Sequence, residues 1–308
     1  MNKSIKILGL IAIIMISSLL IFATKTTNLK DVNTNILSDK NTSETYQIKA
    51  LKIPADLKFA GELVPLEKAD IKERIDRELL VNTYWQSNGL LLIKRTHKYF
   101  PIIEPILKKN GIPNDFKYLA VIESGLQNVT SPAGAKGFWQ IMKATGKENG
   151  LEINDNIDER YHLEKATQVA CDYLIAAKER FGSWTLAAAA YNAGNAGVAR
   201  KIESQKVSNY YDLLLGEETQ RYVPRMVALK EILTNPQKYG FEFDTEDLYK
   251  LETTKLIEVD TIITDIAQFS KDLGINYKVL KLHNPWLREN KLNNKSRKLY
   301  QLKIPTEN

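Results

Sequence analysis

Apolar residues recur at helical spacing through most of this chain, and only its two ends depart from that pattern. Between Glu67 and Asn110, Ile71, Ile75, Leu79 and Leu80 form one stripe, Leu90 to His97 a second, and Pro101 to Lys109 a third closed by Asn110-Gly111. The spacing predicts three helices ahead of a fourth, in which Phe116, Leu119, Ala120 and Glu123 share one face. A loop bearing Gly134 and Gly137 leads to a short helix around Trp139 to Lys147. Then Ala166, Val169, Ala170, Tyr173, Leu174, Ala177 and Phe181 repeat as the buried stripe of a long helix that Gly182 closes. Trp184 to Asn192 is Ala-rich, which lets its backbone approach neighbours closely, and Gly194 ends it; a last helix runs from about Thr219 to Leu233. From Glu67 to about Tyr239 the chain reads as helical.

The tail changes period. Leu256 to Val259 and Leu299 to Ile304 alternate as half-buried strands, and they flank two helical segments, Ile263 to Leu273 and Tyr277 to Leu282. The expected fold class is therefore mainly α, with a small α+β module of strand, helix, helix, strand order at the C-terminus. At the other end, residues 48 to 66 read as an extended lead-in punctuated by Pro54 and Pro65. Thr24 to about Gln47 is too polar to offset its ordering entropy and reads as a linker. Met1 to Lys6 carries two lysines ahead of the 17-residue apolar run Ile7 to Ala23. A cleaved signal peptide and a retained N-terminal membrane anchor both fit that run, and either implies export. No Cys follows it, which leaves no residue for a lipoprotein anchor.

At 308 residues and 44% hydrophobic the chain has the material for one medium domain and a smaller one, each with a core. A net charge of +6 opens nucleic acid, anionic membrane or an acidic polymer as partners. No nucleic-acid motif accompanies the charge and the basic residues are dispersed, so no nucleic-acid partner is expected. Cys171 is the only cysteine, which excludes an intramolecular disulfide and leaves it a small core hydrophobe. His97, His162 and His283 have no second ligand at metal spacing, so neither metal nor cofactor is expected.

Glu123 stands out because it ends an apolar helical stripe. A carboxyl on a buried face with no partner holds its proton toward neutrality, as an active-site acid must. On position alone, a buried Glu satisfied by an Arg or by the backbone fits equally well. Four short motifs in order shift that balance: Glu123-Ser124; Ser131-Pro132-Ala133-Gly134-Ala135-Lys136-Gly137-Phe138-Trp139-Gln140; Ala190-Tyr191-Asn192-Ala193-Gly194; and Glu218-Thr219-Gln220-Arg221-Tyr222-Val223-Pro224. Together they resemble the catalytic domain of the soluble-type lytic murein transglycosylases, which share the goose-type lysozyme fold. The stretch Asp76 to Trp85 and the tail after residue 250 look most like the membrane-bound lytic transglycosylase D branch. The tail, with Leu282-His283-Asn284-Pro285-Trp286-Leu287, resembles a LysM-type module, a family that binds N-acetylglucosamine-containing glycans. A module that only packs on the catalytic domain is the alternative.

The resemblance implies a lysozyme-like helical catalytic domain over residues 65–245 and a LysM-like module over 250–306, behind a signal peptide or anchor (1–24) and a linker with lead-in (25–64). It implies an exported enzyme of the cell envelope, periplasmic, acting on peptidoglycan glycan strands, with a possible membrane contact through the N-terminal segment. Glu123 would protonate the oxygen between N-acetylmuramic acid and N-acetylglucosamine, then take the proton of the muramyl C6 hydroxyl, giving a 1,6-anhydromuramyl end. Ser124, Ser131, Gln140, Tyr191, Asn192 and Tyr222 carry over as substrate-binding residues. Ser131 lies eight residues after Glu123, one fewer than is usual. Ser124 also suits a hydroxyl bonding back to its own helix, while Phe138 and Trp139 suit either a sugar platform or the core. Glycosidases ordinarily use two carboxylates. The acids nearest in sequence, Asp115, Glu148 and Asp155, fall in helix-start or loop contexts, and a lone carboxyl suits assistance by the sugar's acetamido group. A lysozyme-type hydrolase and a non-catalytic wall-binding protein are the rival readings.

Overall fold

The computed structural model describes residues 47–306, so the N-terminal signal or anchor and nearly all of the linker expected from the sequence lie outside the described residues. The lead-in is not simply extended. It folds a two-residue hairpin, β1 (Lys58–Phe59) against β2 (Glu62–Leu63), through Ala60 and Gly61 at φ of 51° and 84°. Two successive positive φ values make a turn whose twist matches the strands, and Asp115 holds it by accepting from Ala60 N at 2.7 Å. Its purpose is burial: Leu57, Phe59 and Val64 enter the main core, with Phe59 edge-on to Phe116 at 5.1 Å.

The three helices expected next are two, α1 (Ala69–Tyr84) and α2 (Gln86–Lys109). Pro101 and Pro105 sit inside α2 instead of breaking it. Spaced four apart they share one face, both are exposed, and the hydrogen bonds they remove fall on the side where water can replace them. After a 3-10 turn, α3 (Lys117–Ser124) ends at Gly125, left-handed at φ 59° with its N–H bonded to Val121 O at 2.8 Å. Then follow α4 (Lys143–Glu148), α5 (Leu163–Phe181), α6 (Trp184–Ala193), α7 (Asn195–Gln205) and α8 (Glu217–Thr234). Gly182 and Gly194 close α5 and α6 as the pattern predicts. The helix α7 buries only Val198, too little apolar periodicity to read from sequence.

The centre of the core is α6, whose Leu186 to Ala190 are fully buried, with α5 on one side and α8 on the other. Small side chains let these helices pack closely around it. The buried Pro224 inside α8 leaves the carbonyl of Gln220 without its helical donor, and the Tyr210 hydroxyl supplies one at 2.9 Å.

The C-terminal module has the expected order: β3 (Thr254–Val259), α9 (Ile266–Asp272), α10 (Tyr277–His283) and β4 (Tyr300–Pro305), with β3 antiparallel to β4 and Ile257 opposite Leu302. Asp265 and Asn276 cap the two helices. The described residues are mainly α, with this small two-stranded sheet and the β1–β2 hairpin. The module's core, built on Ile266, Leu280, Trp286 and Leu302, also takes in Ile157 and Tyr161 from the helical part. Backbone bonds join the two: Asp158 N to Trp286 O at 2.9 Å and Arg288 N to Asn156 O at 2.7 Å. Trp286 is stacked between His162 (5.9 Å) and Tyr300 (5.8 Å). Two ion pairs cross the same boundary, Lys303 with Glu164 and Lys298 with Glu152, the latter at 2.7 Å. No helix among the described residues is long and apolar enough to cross a membrane.

Burial pushes the Glu164 carboxyl up, but His162 and Lys303 outweigh it and hold its pKa down at about 2. A folded-state value below the ordinary one means stability that is present above the ordinary carboxyl pKa and lost as pH falls through the folded value. One third of the side chain meets solvent, which trims the effect by screening. Glu164→Gln should therefore lower the melting temperature at neutral pH, with a gap to wild type that narrows as pH falls from about 5 to about 3. A gap constant with pH in thermal melts would show that the carboxylate does not anchor the module.

Candidate active site

Glu123 lies in the last turn of α3, half-buried, two residues before Gly125 caps the helix. The Tyr222 hydroxyl, from α8, donates to Glu123 Oε1. Burial raises the Glu123 pKa above the ordinary carboxyl range; Tyr222 pulls it down, Glu218 pushes it up and Arg225 pulls it down, and burial prevails. The fully buried Tyr222 has its own pKa pushed well above the ordinary phenol, by burial first and then by Glu123, so it stays a donor. Tyr191 is raised likewise, with Glu123 the first charge it feels after desolvation. Glu123, Tyr191 and Tyr222 thus form one electrostatic group.

A glycine-bearing loop, residues 129 to 141, flanks this group, and side chains singled out in the sequence hold it by three successive carbonyls. Gln140 Nε2 donates to Gly137 O at 2.7 Å, Ser124 Oγ to Phe138 O at 2.8 Å, and the Tyr191 hydroxyl to Trp139 O at 2.7 Å. Ser131 closes the same loop, its hydroxyl accepting from Ala135 N at 3.0 Å. Ser124 also bonds back to Ala120 O at 3.1 Å, the local alternative open to a helical serine. Gln140 adopts φ of 47°, unusual for a residue with a Cβ, and its amide bonds to Gly137 O and Val129 O compensate. Phe138 and Trp139 are both core: Trp139 is fully buried with Nε1 donating to Thr167 Oγ1 at 2.8 Å, and Phe138 meets Tyr99 edge-on at 4.8 Å.

Arg160 sets the loop's position. Buried to 3% exposure, it binds Asp158 through Nε and Nη2, both at 2.8 Å, and reaches Gly134 O and Ile141 O with Nη1 at 3.1 and 3.3 Å. Burial alone would raise the Asp158 pKa, yet the bonds from Arg160 lower it, so the pair stays ionised. Gly137 is forced here: at φ of 78° it lies so close to the Arg160 carbonyl that any Cβ would collide with it.

Asn192 ties α6 to the start of α8, accepting from Thr219 Oγ1 at 2.7 Å and donating to Glu218 Oε1 at 3.3 Å. Sequence reading did not weigh Glu218 as a second acid, although it lies in a motif it singled out. Asp115 instead braces the hairpin and Lys230, while Glu148 and Asp155 are exposed on their own segments. A second partner set was also missed. Glu78 on α1, 1% exposed, accepts from Arg221 Nε at 2.6 Å and Arg77 Nη1 at 2.7 Å, with Arg225 Nε at 3.4 Å. It thereby grips α8 on both sides of Tyr222. The only sequence signal was an acidic residue on the helical face shared with Ile71 and Ile75. Among the described residues no cluster of three or more His, Cys, Asp or Glu side chains could hold a metal.

The segment that carries α3, the glycine loop and Tyr191, residues 100–214, matches the transglycosylase SLT domain family, and residues 255–308 match the soluble lytic transglycosylase C-terminal LysM-like domain. Tyr222 and α8 lie beyond the first match. The chain is similar to membrane-bound lytic murein transglycosylase D of Escherichia coli K12 and of Escherichia coli O6:H1, at 32% identity over 197 residues, 62% of this chain and 43% of each relative. It therefore spans less than half the length of those relatives. A solved structure of lytic transglycosylase Slt from Pseudomonas aeruginosa, in an inactive mutant form, has 18% identity and a TM-score of 0.37, covering 50% of this chain and 27% of that one.

Two outcomes follow. A raised folded-state pKa at Glu123 means that its contribution to stability is full below the ordinary carboxyl pKa and is lost as pH rises through the folded value. Glu123→Gln should then stabilise the protein relative to wild type at pH 8 more than at pH 4, and a melting-temperature difference that shrinks with rising pH would refute the raised pKa. Glu78→Gln removes the charge opposite the arginines and should cost about 3 kcal/mol in chemical denaturation, the low end for a broken buried pair because Arg221 and Arg225 are partly solvated. A loss below about 0.5 kcal/mol would mark the cluster as an ordinary surface pair.

Proposed function

We propose that this protein is a peptidoglycan lytic transglycosylase of the cell envelope, cutting the β-1,4 bond between N-acetylmuramic acid and N-acetylglucosamine. The observation that carries the reading is Glu123: an acid with a raised pKa, oriented by a buried tyrosine hydroxyl, inside a matched SLT domain. Tyr222 occupies Oε1, which leaves Oε2 to carry the proton. Glu123 gives that proton to the glycosidic oxygen as the bond to the anomeric carbon breaks, and the sugar's own acetamido oxygen supports the developing positive charge. The resulting carboxylate then takes the C6 hydroxyl proton while that oxygen closes on the anomeric carbon. The product is a 1,6-anhydromuramyl end, no water is consumed, and Glu123 returns to its protonated state.

The side chains around the acid divide between contact and support. Tyr222 sits against Glu123 and in this reading meets the acetamido group once a sugar enters, whereas Ser124, Gln140 and Tyr191 act mainly by fixing the loop carbonyls. In this reading Ser131, which closes the glycine loop, and Asn192, which holds the start of α8, also contact substrate. The expected N-terminal apolar run fits export, with tethering or signal removal both consistent with an envelope enzyme. A hydrolase is the second reading, favoured by the exposed Glu218 carboxylate, which is close enough to act on Glu123 and suited to activate a water.

Mass spectrometry of fragments released from purified peptidoglycan tests both. The wild type should produce anhydromuramyl ends, with Glu123→Gln slower by about 10² to 10⁴ and Glu218→Gln still making the same ends. Reducing muramyl ends that vanish in Glu218→Gln would establish the hydrolase instead.

A further inference from the structure

A sizeable cavity does not open on Glu123. It lies between the helical domain and the C-terminal module, about 480 Å³ in volume, and none of Glu123, Tyr191 or Tyr222 lines it. That volume is in the range of a small-ligand site. Across a wall shared by Lys98, Tyr99, Asn128 and Phe138 it adjoins a second hollow of about 330 Å³ that reaches Arg95 and Gln127. One side of the combined groove is the α2 surface and the segment after Gly125; the other is the module, through Glu252, His283 and Lys303.

Its charges are unevenly matched. Within the module end, Glu164 is engaged by Lys303 and His162, and Glu252 by His283 at 2.8 Å. Arg95 and Lys98, one turn apart on α2, have no carboxylate partner among the described residues: Arg95 gives one N–H to Gly125 O at 3.2 Å, and Lys98 lies over the Tyr99 ring at 5.5 Å. Exposed amides at Gln127 and Asn128 stand beside them. A guanidinium fork, an ammonium and amide side chains that both donate and accept match a carboxylate attached to peptide groups. At the module end they do not match a stacked sugar, because the aromatic faces there are already covered. Trp286 is sandwiched by His162 and Tyr300, and Tyr161 lies under Arg288 at 4.3 Å.

We propose that this interdomain groove binds a short carboxylate-bearing peptide, the peptide stems of the wall polymer, with the carboxylate at Arg95 and Lys98. The identity of the peptide rests on the transglycosylase reading above; the site itself rests on the groove. The LysM-like module then contributes a wall, and docking it on the helical domain completes the site. Stem recognition would occur away from Glu123, so substrate choice and bond cleavage are carried by different residues.

Calorimetry on the full chain tests this with three probes: the stem tripeptide L-alanyl-γ-D-glutamyl-meso-diaminopimelic acid, the same peptide with its carboxylates amidated, and the N-acetylglucosamine tetramer. The free tripeptide should bind, weaken as salt rises, and weaken roughly tenfold or more on amidation and in the Arg95→Ala/Lys98→Ala double variant, while the tetramer is bound equally by wild type and variant. Absent tripeptide binding, equal binding of the amidated peptide, or an unchanged affinity in the variant overturns the proposal. Release of anhydromuramyl fragments from intact peptidoglycan by the wild type is read separately. Its absence would sink the transglycosylase reading and leave the peptide-binding result standing.

Discussion

A buried guanidinium must have its donors satisfied, and in this protein meeting that demand at Arg160 organises both halves of the molecule. Asp158 takes one edge of the fork, and the carbonyls of Gly134 and Ile141 take the remaining arm, so the glycine loop is drawn to a fixed place. The same short segment offers Asp158 N to Trp286 and Asn156 O to Arg288, and the module hangs from it. Low dielectric strengthens each of these bonds and makes each costly to lose. The glycine loop and the C-terminal module are consequently positioned by one node, with Gly137 the residue that lets the loop come close enough to reach it.

The acid is built by opposite means. Glu123 has a hydroxyl for a partner, so desolvation is not offset by a full charge, and the carboxyl pKa stays raised. Arg225 is near enough to lower its pKa, but Glu78 shares that arginine and Glu218 works in the other direction. A cluster that holds α8 rigidly therefore also limits how much positive charge reaches the acid. Stability and acid strength are set by the same few side chains on α1 and α8.

The module is attached by aromatic stacking, backbone bonds and ion pairs spread over one boundary, and this explains why a cavity of useful size persists there. Trp286 fills one part of the seam and the paired charges fix another, which leaves the space between them open. A loosely tethered module would keep its own core but could not hold such a space.

Local repetition in the sequence determined the long helices α5 and α6, their glycine ends, the burial of the α3 face that carries Glu123, and the strand, helix, helix, strand order of the module, because each depends on neighbours a few residues away. It misjudged Pro101 and Pro105, since whether a proline ends a helix depends on which side faces water, and it missed α7 and the Ala60-Gly61 hairpin, which lack a strong apolar period or an Asn-Gly turn signal. The sequence motifs also singled out Ser124, Gln140, Tyr191 and Tyr222 without showing what each would touch. Only the tertiary structure decided that three of them grip successive loop carbonyls, that Glu218 and Arg225 bear on Glu123, and that Glu78 clamps α8 across 143 residues of chain. Hydrogen bonds and charges act through space, so partners far apart along the chain become visible only when packing has brought them within a few ångströms.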